Sequence, residues 1–487
     1  MKKWSYLLAS LIALEAISAV LYLRTAGQLG FPLDDAWIHQ TYARNLGLHG
    51  LMAFSPGVPS TGSTSAGWTA ILAAGYFLQL PFLFWAYLWG CIFAVAAAFT
   101  AAQLSYSYFE NFMNSIIVAV LCILEWHLAW SSVSGMEISL FIFLSLLFLL
   151  LLHRNSPPYL MGLVAGLAFL VRPEASLLIA IYGVKILFEN RTNIPKLFTT
   201  TAIFILVLLI IISPWMFFNL TYNGRPFPST ISSKFMQYGY PFSIWNSLKY
   251  IWNVFLYFLN GPLMLLVPCA GFAIYTALRQ KRTALYYAFA WSLTLILIYA
   301  VTLPAIYHHG RYLMPLIPIL AIFGVEGLTT LFESYQLHQR LQTMIWLVIS
   351  GITLALWING ASTFALQVKL LNENHAEVAH WVDNNTPKDA IIATHDIGLV
   401  GYITQRQIID LAGLVTPEVI PIMRDQVKLA DFVRQQNVTY VIVFTGYYKD
   451  FLKELNAQLV YSPKKEELKT LGLESFEVFR ISVHQSQ

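Results

Sequence analysis

Two adjacent carboxylates, Asp34 and Asp35, follow the first apolar segment of the chain and are the residue pair best suited to chemistry. Aromatic residues, Arg44 and a stretch rich in Ser, Thr and Gly come after them. A carboxylate at a membrane–water boundary could act as a general base and remove a proton from a hydroxyl. A purely structural alternative is that the pair caps the helix predicted to begin near Ala36, because Asp is common at helix N-termini.

Other ionisable residues that could complete such a site lie in the predicted connections between apolar segments. They are His39, Glu137, Arg172, Glu174, Arg225, Lys234, His308, His309 and Arg311. Charged groups near membrane depth are costly and are usually functional. Cations would stabilise the charge that develops on a leaving phosphate, while a carboxylate takes the proton of the attacking hydroxyl. The combination predicts a site that handles an anionic phosphate and activates a hydroxyl.

Structural alternatives exist for the acidic residues and for the arginine near them. Arg172 and Glu174 could pair with each other across Pro173 at a helix break. Glu137 could cap the helix that is predicted to begin at Ile138. These alternatives stay open at the level of sequence.

The remaining cations also have structural alternatives. Arg311 begins a predicted span, where a long basic side chain often extends to the interface. His308, His309 and Lys234 could be solvated residues of their loops. Two adjacent histidines without further ligands do not make a metal site, so we predict no metal there.

The composition identifies the class of protein that must position these residues. Hydrophobic residues make up 57% of the 487 and charged residues only 11%, well below the share of about 25% that is usual in soluble proteins. The apolar runs are continuous and do not alternate as in a β-barrel. We therefore predict a polytopic α-helical membrane protein. The net charge of +4 is dispersed, which argues against nucleic acid as a partner, and the three cysteines all lie in apolar segments.

The apolar runs predict 11 to 13 transmembrane helices. The first span, 5–22, has no signal-peptidase-like site after it and is predicted to be retained. The other clear spans are 115–130, 138–152, 159–172, 175–188, 197–218, 250–278, 284–303, 312–331 and 342–360. The stretch 66–104 must hold an odd number of crossings, although one crossing is too few for its length, three hardly fit, and Pro81 interrupts it.

Basic residues at the ends of the spans predict the orientation. Lys2 and Lys3 precede the first span, so we expect a cytoplasmic N-terminus. Alternation then places the loop of about 23–66 and the C-terminal tail outside. The candidate site residues named above would then all lie at this outer face of the membrane.

The charged residues predict a boundary near residue 368. Residues 369–487 hold half of all charged side chains in about a quarter of the length. We therefore predict a catalytic membrane domain, 1–368, and a soluble α/β domain, 369–487. The predicted strands of this tail are 390–394, 406–411, 439–444 and 475–482, and its predicted helices are 369–385, 429–436 and 448–456.

Five motifs in order resemble the GT-C superfamily of membrane glycosyltransferases, near its bacterial arabinofuranosyl- and mannosyltransferase-like members. The first is DDAWIHQTYARNL with GVPSTGSTSAGW, between 34 and 68. The others are SGMEISLF at 134–141, LVRPEA at 170–175, NGRPFPSTISSKF at 223–235 and HHGRYLMPLIP at 308–318. A segment at 395–415, HDIGLVGYITQRQIIDLAGLV, resembles one that often follows the membrane domain.

This resemblance implies an activity. GT-C enzymes take a sugar from a polyprenyl-phosphate donor at the outer face of the membrane and transfer it with inversion. The expected function is transfer to a hydroxyl of a glycan, lipid or protein acceptor of the cell envelope, in the bacterial plasma membrane. The first loop reads VPSTGSTSAGW where arabinosyl relatives more often carry a Glu in a VEGYT-like run, so the sugar and the acceptor cannot be carried over.

The resemblance also implies roles for individual residues. Asp34 is expected to be the base, with Asp35 as the alternative, and Glu137 the second acidic group. The residues expected at the donor phosphate are Lys234 and Arg311 and, more weakly, Arg172 and His309. The residues expected to support the acceptor side are Arg44, Glu174, His308 and Tyr312. No cofactor is expected, and a divalent metal is not favoured because Lys and Arg could supply the positive charge.

Two other classes of function remain open. A transporter or flippase of a lipid-linked or anionic solute would also need many helices and buried ionisable groups. A non-catalytic assembly or sensor protein would use its tail to bind a partner. For the tail we expect either guidance of the acceptor, with Asp396 and Tyr402 in its most loop-like stretch, or ordinary fold stability.

Overall fold

The computed structural model describes residues 2–238, 243–259, 261–280, 282, 285–303, 306, 308–463 and 474–481. These residues form twenty α-helices and five short strands, with the strands confined to the C-terminal part. The helices up to residue 238 are α1 Lys2–Ala26, α2 Asp34–His49, α3 Ala66–Phe77, α4 Phe82–Phe109, α5 Phe112–Leu124, α6 Trp126–Ser132, α7 Ile138–His153, α8 Pro158–Val171, α9 Ala175–Asn190, α10 Ile194–Asn223 and α11 Ser229–Tyr238.

The second half of the chain contains the remaining helices and all the strands. The helices are α12 Ile244–Leu259, α13 Leu266–Arg279, α14 Tyr286–Thr302, α15 Ile317–Ser334, α16 Gln339–Leu371, α17 Glu377–Asn385, α18 Gly398–Thr404, α19 Gln426–Gln435 and α20 Lys449–Glu454. The strands are β1 Ile392–Thr394, β2 Ile408–Asp410, β3 Tyr440–Phe444, β4 Gln458–Tyr461 and β5 Phe476–Arg480.

Long apolar helices make this chain an integral membrane protein. Within the described residues, five helical stretches are long and apolar enough to cross a bilayer, in α1, α4, α10, α15 and α16. The pair α5 and α6 also qualifies if it counts as one bent span, and five shorter helices are apolar as well. The predicted class, a helical membrane protein with a small α/β tail, is confirmed.

Two predicted spans, and the apolar stretch 66–104 whose crossings were left open, each contain a break. The span 115–130 is not one straight helix, because the chain bends by 61° between α5 and α6 at Glu125. The span 250–278 is wrong as a single helix, because α12 ends at Leu259 and α13 begins at Leu266, with Pro262 in between. The stretch 66–104 forms two helices on either side of Pro81. Proline lacks the N–H that a helix interior needs.

The described residues fall into two compact units. The first unit comprises 1–25, 86–214 and 240–364 and contains most of the apolar helices. Helices α13 and α15 pack closely because small residues line their contact. A Cβ atom added at Gly324 or Gly327 would overlap Leu266 or Cys269 on the facing helix. Small residues of this kind let helix backbones approach each other in a membrane.

The second unit comprises 26–85, 215–239 and 365–487. Its sheet has the order β2-β1-β3-β5-β4, in which β1 is parallel to β2 and β3, and β5 is antiparallel to β3 and β4. Helices α19 and α20 contribute to the core on one face of the sheet. Helices α2 and α17 contribute to a second core, where Ile38 and Tyr42 pack with Val378 and Ile392. The loop helix α2 is therefore part of the same unit as the tail.

Most predicted elements of the tail are present, with two differences. The edge strand β4 was not predicted from the sequence. The stretch around Tyr402 was predicted to be loop-like, whereas this residue lies in helix α18. The division at residue 368 remains a prediction; α16 continues through this position to Leu371.

Candidate functional site

The predicted site residues fall into two groups, one in each unit. In the second unit, Asp34 is the first residue of α2, and Leu33 occupies the N-cap position without a capping side chain. One carboxylate oxygen of Asp34 accepts the backbone N–H of Gly398 at 2.7 Å, and the other accepts that of Leu399 at 2.8 Å. The capping interpretation of Asp34 is wrong, because its side chain binds α18 and not its own helix.

The contact between Asp34 and α18 requires a glycine. A Cβ atom on Gly398 would overlap the backbone oxygen of Asp34 and would lie 2.8 Å from its carboxyl carbon. Real Cβ atoms essentially never come within 3.0 Å of such neighbours. The missing side chain therefore allows the two segments to meet.

A histidine–aspartate pair lies in the same unit. His375, on a short π-helix from Asn372 to Ala376, has its Nε2 atom 3.0 Å from Oδ2 of Asp396. His395 is farther from the same oxygen, at 3.7 Å. The His375 ring stacks on Phe476 with 4.6 Å between ring centroids. Asp396 was a candidate from the sequence, whereas His375 was not, because it has no distinctive sequence context.

Burial and like charge make Asp34 an unusually basic carboxylate. It is half-buried, and burial together with the negative charge of Asp396 raises its pKa from 3.8 to about 7. The charge of His375 and the two backbone N–H groups act in the opposite direction without cancelling the increase. Asp35 is also half-buried, and its charge acts on Asp396. A carboxylate with a pKa near neutrality is suited to accept a proton.

Arg44 takes part in an aromatic network of the second unit. Its Nη1 atom donates to the backbone oxygen of Tyr402 at 2.6 Å, and its guanidinium lies 4.7 Å from the centre of the Tyr402 ring. Tyr76 donates to Gln40 at 2.9 Å and also contacts the Tyr402 hydroxyl at 3.1 Å. These contacts join α2, α3 and α18 and give Arg44 a supporting position.

Lys234 lies on helix α11 and is half-buried, so the structural alternative of a solvated loop residue does not hold. Its neighbour Ser233 donates a hydrogen bond to the backbone oxygen of Ala412. This bond places α11 beside the loop that follows β2.

In the first unit, the predicted acidic and basic residues form a buried ion-pair cluster. Arg172 binds Oε1 of Glu137 through its Nε and Nη2 atoms, both at 2.8 Å. The same guanidinium lies 3.6 Å from Glu174, so the predicted pairing across Pro173 is present. Glu137 sits at the N-cap position of α7, but its side chain makes no capping bond. The capping interpretation of Glu137 is therefore wrong.

Tyrosines extend this cluster toward Arg311. Tyr299 donates a hydrogen bond to Glu174, and its ring lies 5.0 Å from that of Tyr312. Arg172 and Arg311 both lie over the Tyr312 ring, at 5.3 and 5.2 Å. Arg311 is only 2% exposed, so the prediction that it extends to the interface is wrong.

The adjacent histidines have different surroundings. His308 is exposed, as a solvated loop residue would be. His309 is half-buried, and its ring packs against Trp126 and Trp130 at 5.2 and 5.6 Å. Tyr257 donates to the His309 backbone oxygen at 3.1 Å. Within the described part of the chain, no group of three or more His, Cys, Asp or Glu residues is arranged to hold a metal ion.

A second buried pair lies at the bend between α5 and α6. Nδ1 of His127 is 2.6 Å from Oε1 of Glu125, and the other oxygen of Glu125 accepts the backbone N–H of Leu128 at 3.1 Å. The sequence analysis gave these residues no role in the site. With Tyr257 and Pro262 they line a small cavity of about 10 Å³.

Comparisons with known proteins identify the fold. Residues 365–479 match a family model described as a domain of unknown function (DUF8728). None of the curated protein sequences matches the chain. A crystal structure of ArnT from Cupriavidus metallidurans in the apo state is similar over 98% of both chains, with a TM-score of 0.62 and 12% identity. ArnT bound to undecaprenyl phosphate gives a TM-score of 0.59.

Two further enzymes share the architecture. The oligosaccharyltransferase of Archaeoglobus fulgidus in complex with Zn and sulfate has a TM-score of 0.62 and 13% identity, over 96% of this chain and 73% of that one. The arabinofuranosyltransferase AftD from Mycobacteria has a TM-score of 0.52 and 16% identity, over 98% of this chain and 42% of that one. The chain therefore has a GT-C fold.

Proposed function

We propose that this protein is an inverting glycosyltransferase that moves a sugar from a polyprenyl-phosphate donor to a hydroxyl of a cell-envelope acceptor. The observation that carries the proposal is the similarity to ArnT along 98% of both chains. ArnT binds undecaprenyl phosphate. A polyprenyl phosphate is what a polyprenyl-phosphate sugar leaves behind once its sugar has been transferred.

The reaction needs a base, and we assign this role to Asp34. The acceptor hydroxyl attacks the anomeric carbon, the bond from this carbon to the donor phosphate breaks, and Asp34 takes the hydroxyl proton. Two backbone N–H groups orient its carboxylate, which keeps further lone pairs for a proton. Its raised pKa, about 7, suits a base that works near neutral pH. Asp35, half-buried beside it, is the alternative.

The leaving phosphate needs cations, and we assign Lys234 and Arg311 to it. Arg172 is a weaker candidate, because its charge already pairs with two carboxylates. We infer that Arg172 and Glu137 support Arg311 through the shared contact with Tyr312. The His309 ring packs against two tryptophan rings, and we expect it to shape the wall of the donor site more than to supply charge.

Binding of undecaprenyl phosphate to the purified protein tests these cations. We expect Lys234→Met and Arg311→Met each to weaken binding by about tenfold or more, since a charge-assisted hydrogen bond contributes about 1.5–3 kcal/mol. Lys388→Met, at an exposed position of the tail, is the matched control. Unchanged binding in both variants would remove these residues from the donor site.

The outer face of the plasma membrane remains the proposed place of the reaction. The basic residues that flank the spans support an orientation with the tail outside. Labelling a single cysteine introduced into the tail, from one side of sealed cells, tests it. A tail that reacts only after the cells are opened would contradict the orientation.

Surface glycans provide the functional test. We expect mass analysis of a strain lacking this protein to show that one sugar is missing, and that the wild-type gene but not Asp34→Asn restores it. Proteoliposomes that move a solute in the absence of any acceptor, combined with unchanged glycans in the deletion strain, would favour a transporter and would contradict the proposal.

A further inference from the structure

The segment 395–399 of the tail connects two features of the second unit. Its backbone N–H groups at Gly398 and Leu399 hold both carboxylate oxygens of Asp34. Its side chain at Asp396 binds His375. The position of Asp34 is therefore tied to the histidine–aspartate pair by two or three residues of main chain.

His375 is a rigid anchor for this segment. It is only 8% exposed, and its ring stacks on Phe476 of β5 and lies 5.9 Å from the ring of Phe444 of β3. These strands are paired along their whole length, so the ring is fixed by the sheet. A packed ring with one bond to Asp396 leaves the segment little freedom.

We propose that His375 and Asp396 are positioning residues for the general base: they fix the segment whose amides hold Asp34. This inference rests on the proposed function, in which Asp34 accepts the proton of the acceptor hydroxyl. It gives the tail a direct part in the chemistry.

The charges of the pair act on Asp34 in opposite directions. Burial favours the neutral form of Asp396, but His395 and His375 outweigh it and hold the pKa of Asp396 below its usual value. Burial likewise favours neutral His375, but the bond to Asp396 and the charges of Asp396 and Asp34 raise its pKa. The negative Asp396 makes Asp34 more basic, while the positive His375 makes it less so.

Other titratable groups lie near Asp34 and its partners. Asp35 is the chain neighbour of Asp34, His39 follows on α2, and His395 lies 3.7 Å from Asp396. Helix α18, which supplies the amides, carries no charged residue. Asp396 and His375 are the two charges that act on Asp34 most strongly. Removing either one should therefore shift the titration of Asp34 measurably.

Infrared titration of the full-length protein in detergent tests the inference directly. The difference between wild type and Asp34→Asn isolates the carboxyl band of Asp34 and gives its midpoint. We expect Asp396→Asn to move this midpoint to lower pH and His375→Gln to move it to higher pH, each by about one unit. His380→Gln and Asp389→Asn, both exposed in the same domain, are the matched controls and should leave it unchanged.

The same variants assayed for sugar transfer separate this inference from the proposed function. We expect the acidic limb of the pH–rate profile to move with the infrared midpoint. If wild type transfers sugar and Asp34→Asn does not, but neither variant moves the midpoint, the positioning role is overturned and the function stands. If the midpoint moves as expected and wild type transfers no sugar, the function is overturned while the charge coupling stands. Equal shifts in the exposed controls would also overturn the inference.

Discussion

The charged groups of the two units are stabilised in different ways. In the first unit, Arg172 lies between Glu137 and Glu174, and these three side chains are at most 12% exposed. In the second unit, Asp34 and Asp35 are half-buried, and Asp34 is held by backbone N–H groups. The first arrangement places a cation between two carboxylates, whereas the second brings the carboxylates of Asp34 and Asp396 near each other.

This difference supports the proposed division between a structural cluster and a reactive one. A buried salt bridge resists titration, because neutralising one partner leaves the other charge buried without compensation. A carboxylate near another carboxylate binds a proton more tightly than usual. The raised pKa of Asp34 follows from this arrangement, together with its burial. We therefore propose that proton transfer belongs to Asp34 in the second unit, and that Arg172 with its two glutamates gives rigid support in the first.

The largest effect should come from breaking the cluster of Arg172, Glu137 and Glu174. Arg172→Leu leaves Glu137 and Glu174 buried without their cation, and we expect a loss of about 3–5 kcal/mol in the free energy of unfolding. The melting temperature in detergent and the yield of folded protein measure it. Lys388→Met breaks a pair in which the lysine side chain is 74% exposed, and it should cost less than about 1 kcal/mol. Equal losses in both variants would contradict the distinction.

A smaller effect should come from the backbone contact of the second unit. Gly398→Ala places a Cβ atom against Asp34, and we expect a destabilisation of about 1–3 kcal/mol, together with weaker activity. The matched control is Gly351→Ala on α16, where nothing lies within 4 Å of an added Cβ. If the melting temperatures of the two variants agree, the close contact is not needed.

The smallest effect is graded and depends on pH. A base must be ionised to accept a proton. Because the pKa of Asp34 is raised from 3.8 to about 7, its carboxyl group is mostly protonated below about pH 7. The transfer rate should therefore rise through about pH 7 and fall about tenfold for each pH unit below it. Initial rates between about pH 5 and pH 8 measure this. A rate that is flat over this range would mean that the essential base titrates elsewhere.

Sequence patterns predicted the fold where hydropathy alone decides it. Predicted spans 138–152 and 159–172 correspond to α7 and α8 within one residue. The breaks were missed because they depend on local geometry: Glu125 ends one helix and caps the next by accepting the N–H of Leu128. The run 250–278 was read as one helix although Gly261 and Pro262 interrupt it.

The site was predictable only as far as residue types show it. Charged residues in apolar surroundings pointed to Asp34, Glu137 and Arg172, and the structure places each of them in a cluster. The partners of Asp34 could not be foreseen, because backbone N–H groups leave no mark in the sequence and lie 364 and 365 residues away. His375 was missed for a similar reason, since its ring packs against residues of β3 and β5 that are distant in the sequence.

Turnover by Asp34→Asn and Asp35→Asn, with a polyprenyl-phosphate sugar donor, tests the central claim most directly. Asn keeps the shape of the side chain but cannot accept the proton. We expect Asp34→Asn to lower kcat by about 10²–10⁴-fold while binding of undecaprenyl phosphate stays within about threefold of wild type, and Asp35→Asn to have a smaller effect. Wild-type turnover in Asp34→Asn, from protein with an unchanged melting temperature, would contradict the claim that this carboxylate accepts the proton.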